Sequence, residues 1–357
     1  MEITSPQLKN RPGKISFNGW PSWIGSGAIV WSALYGALHL YWLLGGPGYP
    51  FKDQLPGLFS AMVTYLPAQA GSAVFVVLCV LGIGAGLAMQ RPWGTVVPRW
   101  MILAYAWGMA AALLLLVPDI GLIAVMAYAF LLKAQWSWQL SNQLLCMIGA
   151  LLWIFAAIAY RRRVRHACEY CGRVEENGTS VPLVRWGRWM TWIAALAPLP
   201  YAMSRFAWAL NIPLGIDAQD LQHFSEANEA AHVIEWVFGT VCLGGGLLTL
   251  GLIRRWGEVF PRWFPFIGGK RVPISLAVIP ATGVAIAVTA AGFVFTVSFF
   301  AATLRLMPVD DVVLRQLYGA VGPMLSWVPW GLALGLAAIA YYYRRRGPCN
   351  HCGKGNL

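Results

Sequence analysis

Residues 337–353 read AAIAYYYRRRGPCNHCG, and residues 156–172 read AAIAYRRRVRHACEYCG. In both copies an apolar helix end leads through a cluster of arginines to a Cys-x-x-Cys-Gly sequence, and the first cysteine follows the first tyrosine by eight residues. Because every element recurs in the same order, the chain is interpreted as an internal repeat. Each repeat is predicted to end in a helix, a cationic collar and a pair of cysteines.

The composition indicates a membrane protein. Of the 357 residues, 58% are hydrophobic and only 11% are charged, whereas about a quarter of the residues in a soluble domain are charged. Several apolar runs exceed the roughly 18 residues that mark a transmembrane helix. Because lipid offers no hydrogen bonds to an open backbone, we expect these runs to be helices and the fold to be an all-α integral membrane fold.

Eight membrane-spanning helices are predicted, with both termini in the cytoplasm. Residues 1–19 are polar and are expected to form a cytoplasmic tail, because the apolar run that follows is too long for a cleavable signal. Residues 118–135 are also apolar, and they either extend a kinked third helix or form a short separate membrane segment. The predicted spans cover residues 20–45, 67–90, 100–120, 142–160, 186–210, 232–253, 275–304 and 324–343.

Lysine and arginine are distributed asymmetrically over this topology. Lys52, Lys133, Arg305 and Arg315 fall in predicted outer loops, and Arg205 falls within a span. All the others lie in the tails and inner loops, as the positive-inside rule requires. The net charge of +12 is therefore a topology signal rather than a nucleic-acid footprint. The basic collars are expected to contact anionic membrane lipids.

The repeat extends into the inner loops, where RPWGTVVPRW at 91–100 matches RRWGEVFPRW at 254–263. These loops are interpreted as interfacial anchors, because glycine and proline break helices and tryptophan prefers the membrane interface. A paired cytoplasmic gate or ligand contact is the alternative. The candidate site residues among the matched positions are Arg91, Trp93, Gly94, Pro98, Arg99 and Trp100 in the first loop and Arg254, Trp256, Gly257, Pro261, Arg262 and Trp263 in the second.

These matches predict two parallel four-helix repeats. The first is assigned to residues 20–176 and the second to residues 177–357, each ending in a cysteine pair. An even number of helices in each repeat brings all four ends to the same side of the membrane. Residues 264–273 are the expected insertion in the second repeat, because the spacing between the two copies widens after the inner loop.

The sequence ALHLYWLLGG, residues 37–46, resembles the first-helix signature of a family of small four-helix bacterial membrane proteins of unknown function. The resemblance covers mainly this helix. It implies a tandem fusion of two such units in a bacterial inner membrane, and it implies no activity. The second repeat departs from the signature, because Arg205 stands in place of His39. A site that requires the histidine is therefore not expected to be duplicated.

The cysteines at the repeat ends are the strongest chemical signal. Cys168 pairs with Cys171, and Cys349 pairs with Cys352. In each pair two residues separate the cysteines, a spacing that lets both thiolates contact one metal. They predict a structural Zn²⁺ that bridges the repeats on the cytoplasmic side, although the pairs are far apart in sequence. A redox-active dithiol and unmetallated thiols are the alternatives. His166 and His351 lie beside the pairs and are further candidate ligands.

Ionisable and aromatic residues are predicted at one depth near the outer ends of the spans. Charges are costly in lipid, so they are expected to face protein or water. The functional interpretation is an outward-facing pocket between the repeats. The alternative is an Arg205–Glu235 ion pair that joins two helices. The pocket residues are His39, Tyr41, Trp42, Arg205, Trp208, His232 and Glu235.

The function is open between three classes. No catalytic residue is predicted, because the chain carries no Walker, Rossmann, zincin or nucleophile-elbow motif in a credible setting. A small-molecule transporter or permease, with a substrate that the sequence does not identify, suits a pocket between repeats. A membrane-embedded regulator, sensor or assembly factor with a protein partner suits a zinc-bridged cytoplasmic face. A membrane enzyme acting on a lipid or quinone through His232 and Glu235 is the third class, and a non-enzymatic role is favoured.

Overall fold

In the computed structural model, the regular secondary structure of the described residues is helical apart from one isolated β-bridge between Val259 and Arg271. The predicted tail 1–19 and residues 119–135 lie outside the described residues. The structure describes residues 20–51, 67–118, 136–173, 181–227, 231–305, 317–349 and 351–353. The α-helices are α1 (Trp20–Leu43), α2 (Ala68–Gln90), α3 (Arg99–Leu115), α4 (Trp138–Val164), α5 (Val181–Leu196), α6 (Leu199–Ala209), α7 (Ala218–Ala227), α8 (Ala231–Thr249), α9 (Ile274–Thr303) and α10 (Trp327–Arg345).

Five helices of the described chain are long and apolar enough to cross a membrane, in agreement with a multi-pass membrane protein. The expectation of an all-α membrane fold is confirmed at this level. The expected number of eight spans is not, since the described ranges supply five by length and composition. These spans are Ala68–Gln90, Trp138–Val164, His232–Leu252, Ile274–Thr303 and Leu317–Arg345.

The other three predicted spans are not among these five helices, and the physical reason is different for each. α1 is 24 residues long, but tryptophans, serines and glycines dilute its apolar residues. α3 is apolar but has only 17 residues. The predicted span 186–210 is divided into α5 and α6 around Pro198, and Pro200 follows in the first turn of α6. Proline has no N–H to donate and collides with the preceding turn, so a continuous helix is disfavoured there.

The two halves of the chain pack their helices in the same order. We refer to the described parts of residues 20–176 and 177–357 as the first unit and the second unit. In the first unit α1 packs against α2 and α4, and α3 packs against α4. In the second unit α6 packs against α8, while α5 and α9 pack against α10. Each unit has its own buried apolar core, around Trp153 in the first and Trp330 in the second.

Matched hydrogen bonds close both units at the same end. Arg163 in the last turns of α4 donates to the carbonyl oxygen of Met89 at 3.2 Å. Arg344 at the end of α10 donates to the carbonyl oxygen of Leu252 at 2.8 Å. The last carbonyls of a helix have no partner within it, and a cation there also suits the helix dipole. The C-terminal ends of α2 and α4 in the first unit therefore lie together, as do those of α8 and α10 in the second unit.

Candidate metal centre

The four cysteines of the repeated ends meet in one cluster. Their Sγ atoms all lie within 4.8 Å of one another, although the two pairs belong to different units. The Sγ atoms of Cys171 and Cys352 are 3.6 Å apart. The pairs follow α4 and α10 directly, so the matched helix ends bring them together. The expected gathering of these cysteines is confirmed.

Tight turns present both thiols of each pair to the cluster. The N–H of Gly172 donates to the carbonyl of Cys168 at 2.7 Å, and the N–H of Gly353 donates to that of Cys349 at 2.8 Å. Both glycines have positive φ, 72° and 68°. This left-handed conformation is costly for residues with a side chain. The glycine after each second cysteine is therefore part of the site's architecture.

Arginines hold the first turn in place. One terminal nitrogen of Arg162 donates to the carbonyl oxygens of Glu169 and Tyr170, both at 2.8 Å. Bonds from a charged donor are about twice as strong as neutral ones. The turn that carries Cys168 and Cys171 is thus fixed by the last turns of α4. The sequence predicted these arginines only as a topology signal, and their bonds to the cysteine turn were not expected.

Three contacts beside the cluster join the two units. Arg346 donates to the carbonyl of Cys171 at 2.8 Å, and Arg173 donates to the carbonyl of Gly347 at 3.1 Å. The ring of Tyr170 stacks on that of His351, with 3.5 Å between the ring centroids. His351 is therefore engaged beside the cluster. Within the described residues the cluster of metal-ligating side chains consists of the four cysteines, without His166 or His351.

The thiols differ in their acidity. Backbone N–H groups of Cys352 and His351 lower the pKa of the Cys349 thiol to about 6. Burial is the largest single influence on the Cys168 thiol and raises its pKa, but the N–H groups of Cys171 and Tyr170 together with the thiols of Cys171 and Cys352 lower that pKa overall. Burial raises the pKa of Cys171 to about 12. Thiolates are the form that binds metal, so two of the four sulfurs are prepared for it by their own turns.

The geometry fits a tetrahedral thiolate-bound metal. Zn–S bonds of about 2.3 Å place the sulfurs of a tetrahedral site about 3.8 Å apart. The observed separations, 3.6 Å for one pair and no more than 4.8 Å for any, lie around that value. Four thiolates with two-residue spacing are the donor set of structural zinc sites. The four cysteines would hold such an ion, which would supply a cross-link rather than a reactive position.

The charged residues predicted at the outer ends of the spans form a pair inside the second unit. One terminal nitrogen of Arg205 donates to both carboxylate oxygens of Glu235, at 3.1 Å each. The two side chains are only 10% and 5% exposed. The guanidinium also lies 4.6 Å from the ring centre of Tyr201 and 4.4 Å from that of Trp208. The ion pair weighed as the alternative interpretation is present.

The remaining residues of the predicted pocket lie apart from this pair or at its edge. His39 is fully buried and stacks on Phe75, with 4.3 Å between the rings, while Trp42 is buried beside it. No hydrogen bond or ring contact of His39 within the described ranges reaches the second unit. Tyr41 is half exposed at 50%. His232 lies 3.2 Å from the carbonyl of Ala209, within the second unit.

The repeated inner loops lie at the end that carries the metal centre. Their glycines are tightly packed, since a side chain on Gly94 would meet the carbonyl of Ala88, and one on Gly257 would meet that of Gly251. The side chain of Trp93 lies outside the described part of the chain. Pro261 is half-buried. The exposed members of the motif are Arg91, Pro98, Arg99, Trp100, Arg254, Trp256, Arg262 and Trp263.

Comparisons with protein families, with curated proteins and with solved structures find no match to this chain.

Proposed function

We propose that this chain is a multi-pass protein of the bacterial inner membrane whose two four-helix units are joined on the cytoplasmic face by one structural Zn²⁺. Cys168, Cys171, Cys349 and Cys352 bind the ion. The protein acts as a membrane-embedded regulator or assembly factor, in which metal occupancy sets how the two units are held. The observation that carries this proposal is the gathering of four thiols from two distant segments within 4.8 Å.

Matched contacts support a duplication of one four-helix unit. The bond from Arg163 to Met89 corresponds in sequence to the bond from Arg344 to Leu252. A second match is made by tryptophans, since Trp42 donates to a carbonyl five residues later at 3.2 Å and Trp208 to one six residues later at 3.0 Å. Side chains at matching positions of the repeat therefore form equivalent hydrogen bonds in both units, which favours a common four-helix plan.

Charge placement favours the cytoplasmic location. The cysteine pairs follow the arginine clusters, and the positive-inside rule assigns such clusters to the cytoplasm. Reducing conditions there keep the thiols available for metal. Zinc bound in isolated fingers contributes about 10–16 kcal/mol. An ion of this kind is strong enough to hold two membrane bundles together.

Regulation or assembly is favoured over transport by the pairing of the buried charges. The transport hypothesis rested on ionisable side chains that line a pocket between the units, where transporter sites lie. Arg205 and Glu235 instead bind each other within the second unit. The metal centre, in contrast, is made by both units and is partly exposed, so it is placed to respond to the cell interior.

Cleavage between the units tests the proposal. A protease site is inserted in residues 174–180 of the full-length protein, which is cut after purification with its metal bound. We expect the two fragments to co-purify, and we expect a strong zinc chelator to weaken their association. In the variant Cys349→Ser, the fragments should associate as weakly as they do after chelation. In Cys242→Ser, whose thiol lies outside the cluster, they should associate as strongly as in the unsubstituted protein. Fragments whose association is unaffected by chelator and by Cys349→Ser would contradict a zinc cross-link.

A further inference from the structure

Residues 258–272 form a hairpin between α8 and α9, which we call the aromatic hairpin. The N–H of Phe260 donates to the carbonyl of Lys270 at 3.0 Å, and that of Val272 donates to the carbonyl of Glu258 at 2.9 Å. Antiparallel pairing of this kind gives the segment a defined shape. It is a structured projection rather than a plain connection between helices.

The base of the hairpin is fastened to the end of α10. Arg344 forms an ion pair with Glu258 at 2.7 Å, and Arg345 donates to the carbonyl of Val272 at 3.0 Å. α10 is the helix that leads to the second cysteine pair. The hairpin therefore lies at the end of the molecule that carries the metal centre, where the charge distribution predicts the cytoplasmic membrane surface.

The tip of the hairpin exposes large aromatic side chains. Phe266 is 95% exposed, Trp263 is 78% exposed and Phe264 is 40% exposed. Phe266 also has a φ of 65°, a left-handed conformation that is unusual for a bulky residue. Both the conformation and the exposure are unfavourable for a phenylalanine in water. Such outliers persist where the surrounding structure holds them, and they cluster at ligand-binding and switch regions.

The hairpin is basic as well as aromatic. Arg262, Lys270 and Arg271 are exposed. The segment 254–272 contains one acidic residue, Glu258, which is bound to Arg344. Exposed aromatic rings beside cations that form no ion pair among the described residues suit the interface of a membrane that carries anionic lipid. A protein surface of like charge would be repelled, and a neutral one would leave the cations without partners.

The equivalent loop of the first unit lacks this projection. Residues 91–98 pass directly into α3, which begins at Arg99. In the second unit α9 begins only at Ile274. Joining the two helices therefore does not require the hairpin. Trp100, which matches Trp263 in the repeat, is 70% exposed and provides an internal reference without the adjoining basic hairpin.

We propose that the aromatic hairpin binds anionic phospholipid at the cytoplasmic leaflet. The rings at the tip insert at the level of the lipid glycerol groups, and Arg262, Lys270 and Arg271 contact the phosphates. This interaction does not depend on whether a metal is bound. It gives the second unit a lipid-binding hairpin that the corresponding loop of the first unit lacks.

Site-specific photo-cross-linking tests this proposal in the full-length protein. The photoreactive residue p-benzoylphenylalanine is introduced at Phe266 or, as the matched reference, at Trp100. The protein is placed in lipid nanodiscs that contain equal amounts of phosphatidylcholine and phosphatidylglycerol, and adducts are identified by mass spectrometry. We expect the Phe266 probe to form adducts preferentially with phosphatidylglycerol. The Trp100 probe should show little preference.

Neutralising the cations separates charge recognition from simple proximity to lipid. Arg262→Gln, Lys270→Gln and Arg271→Gln should each reduce the preference for phosphatidylglycerol, by about fivefold per cation removed. Circular dichroism of each variant checks that the helices are intact. Equal adducts with the two lipids at Phe266, or no lipid adduct there, would overturn the proposal. So would a protein adduct at Phe266 that replaces the lipid adduct when cells are irradiated.

Discussion

The two units place different residues in the same aromatic setting. His39 in α1 lies between Tyr35 and Trp42, with ring centroids 4.7 Å and 4.9 Å away. Arg205 in α6 lies between aromatic rings at the corresponding positions, 4.6 Å and 4.4 Å from its guanidinium. The aromatic frame is thus the common element, and the residue inside it differs.

The residue on the facing helix also differs between the two units. Opposite Arg205 lies Glu235, whereas the corresponding position in the first unit, by the spacing of the inner-loop repeat, is Ser72. Ser72 is fully buried. Burying a charge costs much more than burying a neutral polar group, unless the charge has a partner. The aromatic frame therefore accepts a buried cation only where the facing helix also supplies a carboxylate as its counter-ion.

The largest expected effect comes from removing that counter-ion. Glu235→Ser leaves the Arg205 guanidinium buried without a carboxylate, and breaking a buried pair in this way costs about 3–5 kcal/mol. The free energy of unfolding, measured in detergent with denaturant, should fall by that amount. The double variant Arg205→His with Glu235→Ser places the first unit's residues in the second unit. It should recover a large part of the loss.

The reverse substitutions in the first unit test the same dependence of a buried cation on its counter-ion. His39→Arg should be strongly destabilising, because no carboxylate faces it within the described residues. Adding Ser72→Glu should restore stability in part. If Glu235→Ser were tolerated without loss, or if neither second substitution restored any stability, the coupling between frame and counter-ion would be disproved.

An intermediate effect is expected at the paired glycines of the inner loops. Gly94→Ala and Gly257→Ala each force a methyl group against a backbone carbonyl, that of Ala88 or of Gly251. Overpacking of this kind costs about 1–3 kcal/mol. Because the two environments match, the two variants should lose similar amounts in denaturant unfolding. A loss confined to one of them would show that the loops are not equivalent.

A smaller effect is expected at the arginines that close each unit. Arg163→Ala and Arg344→Ala each remove a hydrogen bond to a helix-end carbonyl and a partly exposed ion pair, together about 1 kcal/mol. The loss should be greater for Arg344, which is 29% exposed against 46% for Arg163. Thermal unfolding of matched preparations measures the difference. If both variants and the unsubstituted protein unfolded at the same midpoint temperature, a stabilising role of these arginine contacts would be contradicted.

The smallest effect on stability is expected from the ionisation of the cluster thiols in the metal-free protein. The Cys349 pKa is lowered to about 6, so its contribution to stability is present above the ordinary thiol pKa and is lost as the pH falls through about 6. Alkylation of Cys349 by iodoacetamide should therefore remain fast near neutral pH and slow down below about pH 6. Cys171, whose pKa is raised to about 12 by burial, should react far more slowly at neutral pH. Similar rates for both thiols would contradict the described turns.

The parts of the fold that were predictable rest on strong local patterns. Long apolar runs gave α2, α4, α8 and α9, because such runs have no stable alternative in lipid. The repeated cysteine pairs predicted their own meeting, because each follows a matched helix end. The break at Pro198 was missed, since hydropathy averages over a window while a single proline acts on one turn.

Contacts between segments distant in sequence were harder to predict. The bonds from Arg162 and Arg346 to the cysteine turns depend on how the helix ends approach one another. The aromatic hairpin was recognised only as an insertion, because its pairing between Phe260 and Lys270 leaves no alternating pattern. Arginine clusters satisfy a topology rule in any case, so their second role gave no separate signal.

Metal analysis of the purified full-length protein, combined with X-ray absorption at the zinc edge, shows whether a thiolate-bound zinc joins the two units. We expect one zinc per chain with four sulfur ligands at about 2.3 Å, and we expect Cys349→Ser to lose the metal while Cys242→Ser keeps it. Far less than one zinc per chain in protein purified without chelator, or zinc bound by nitrogen and oxygen, would contradict a thiolate-bound zinc that joins the two units.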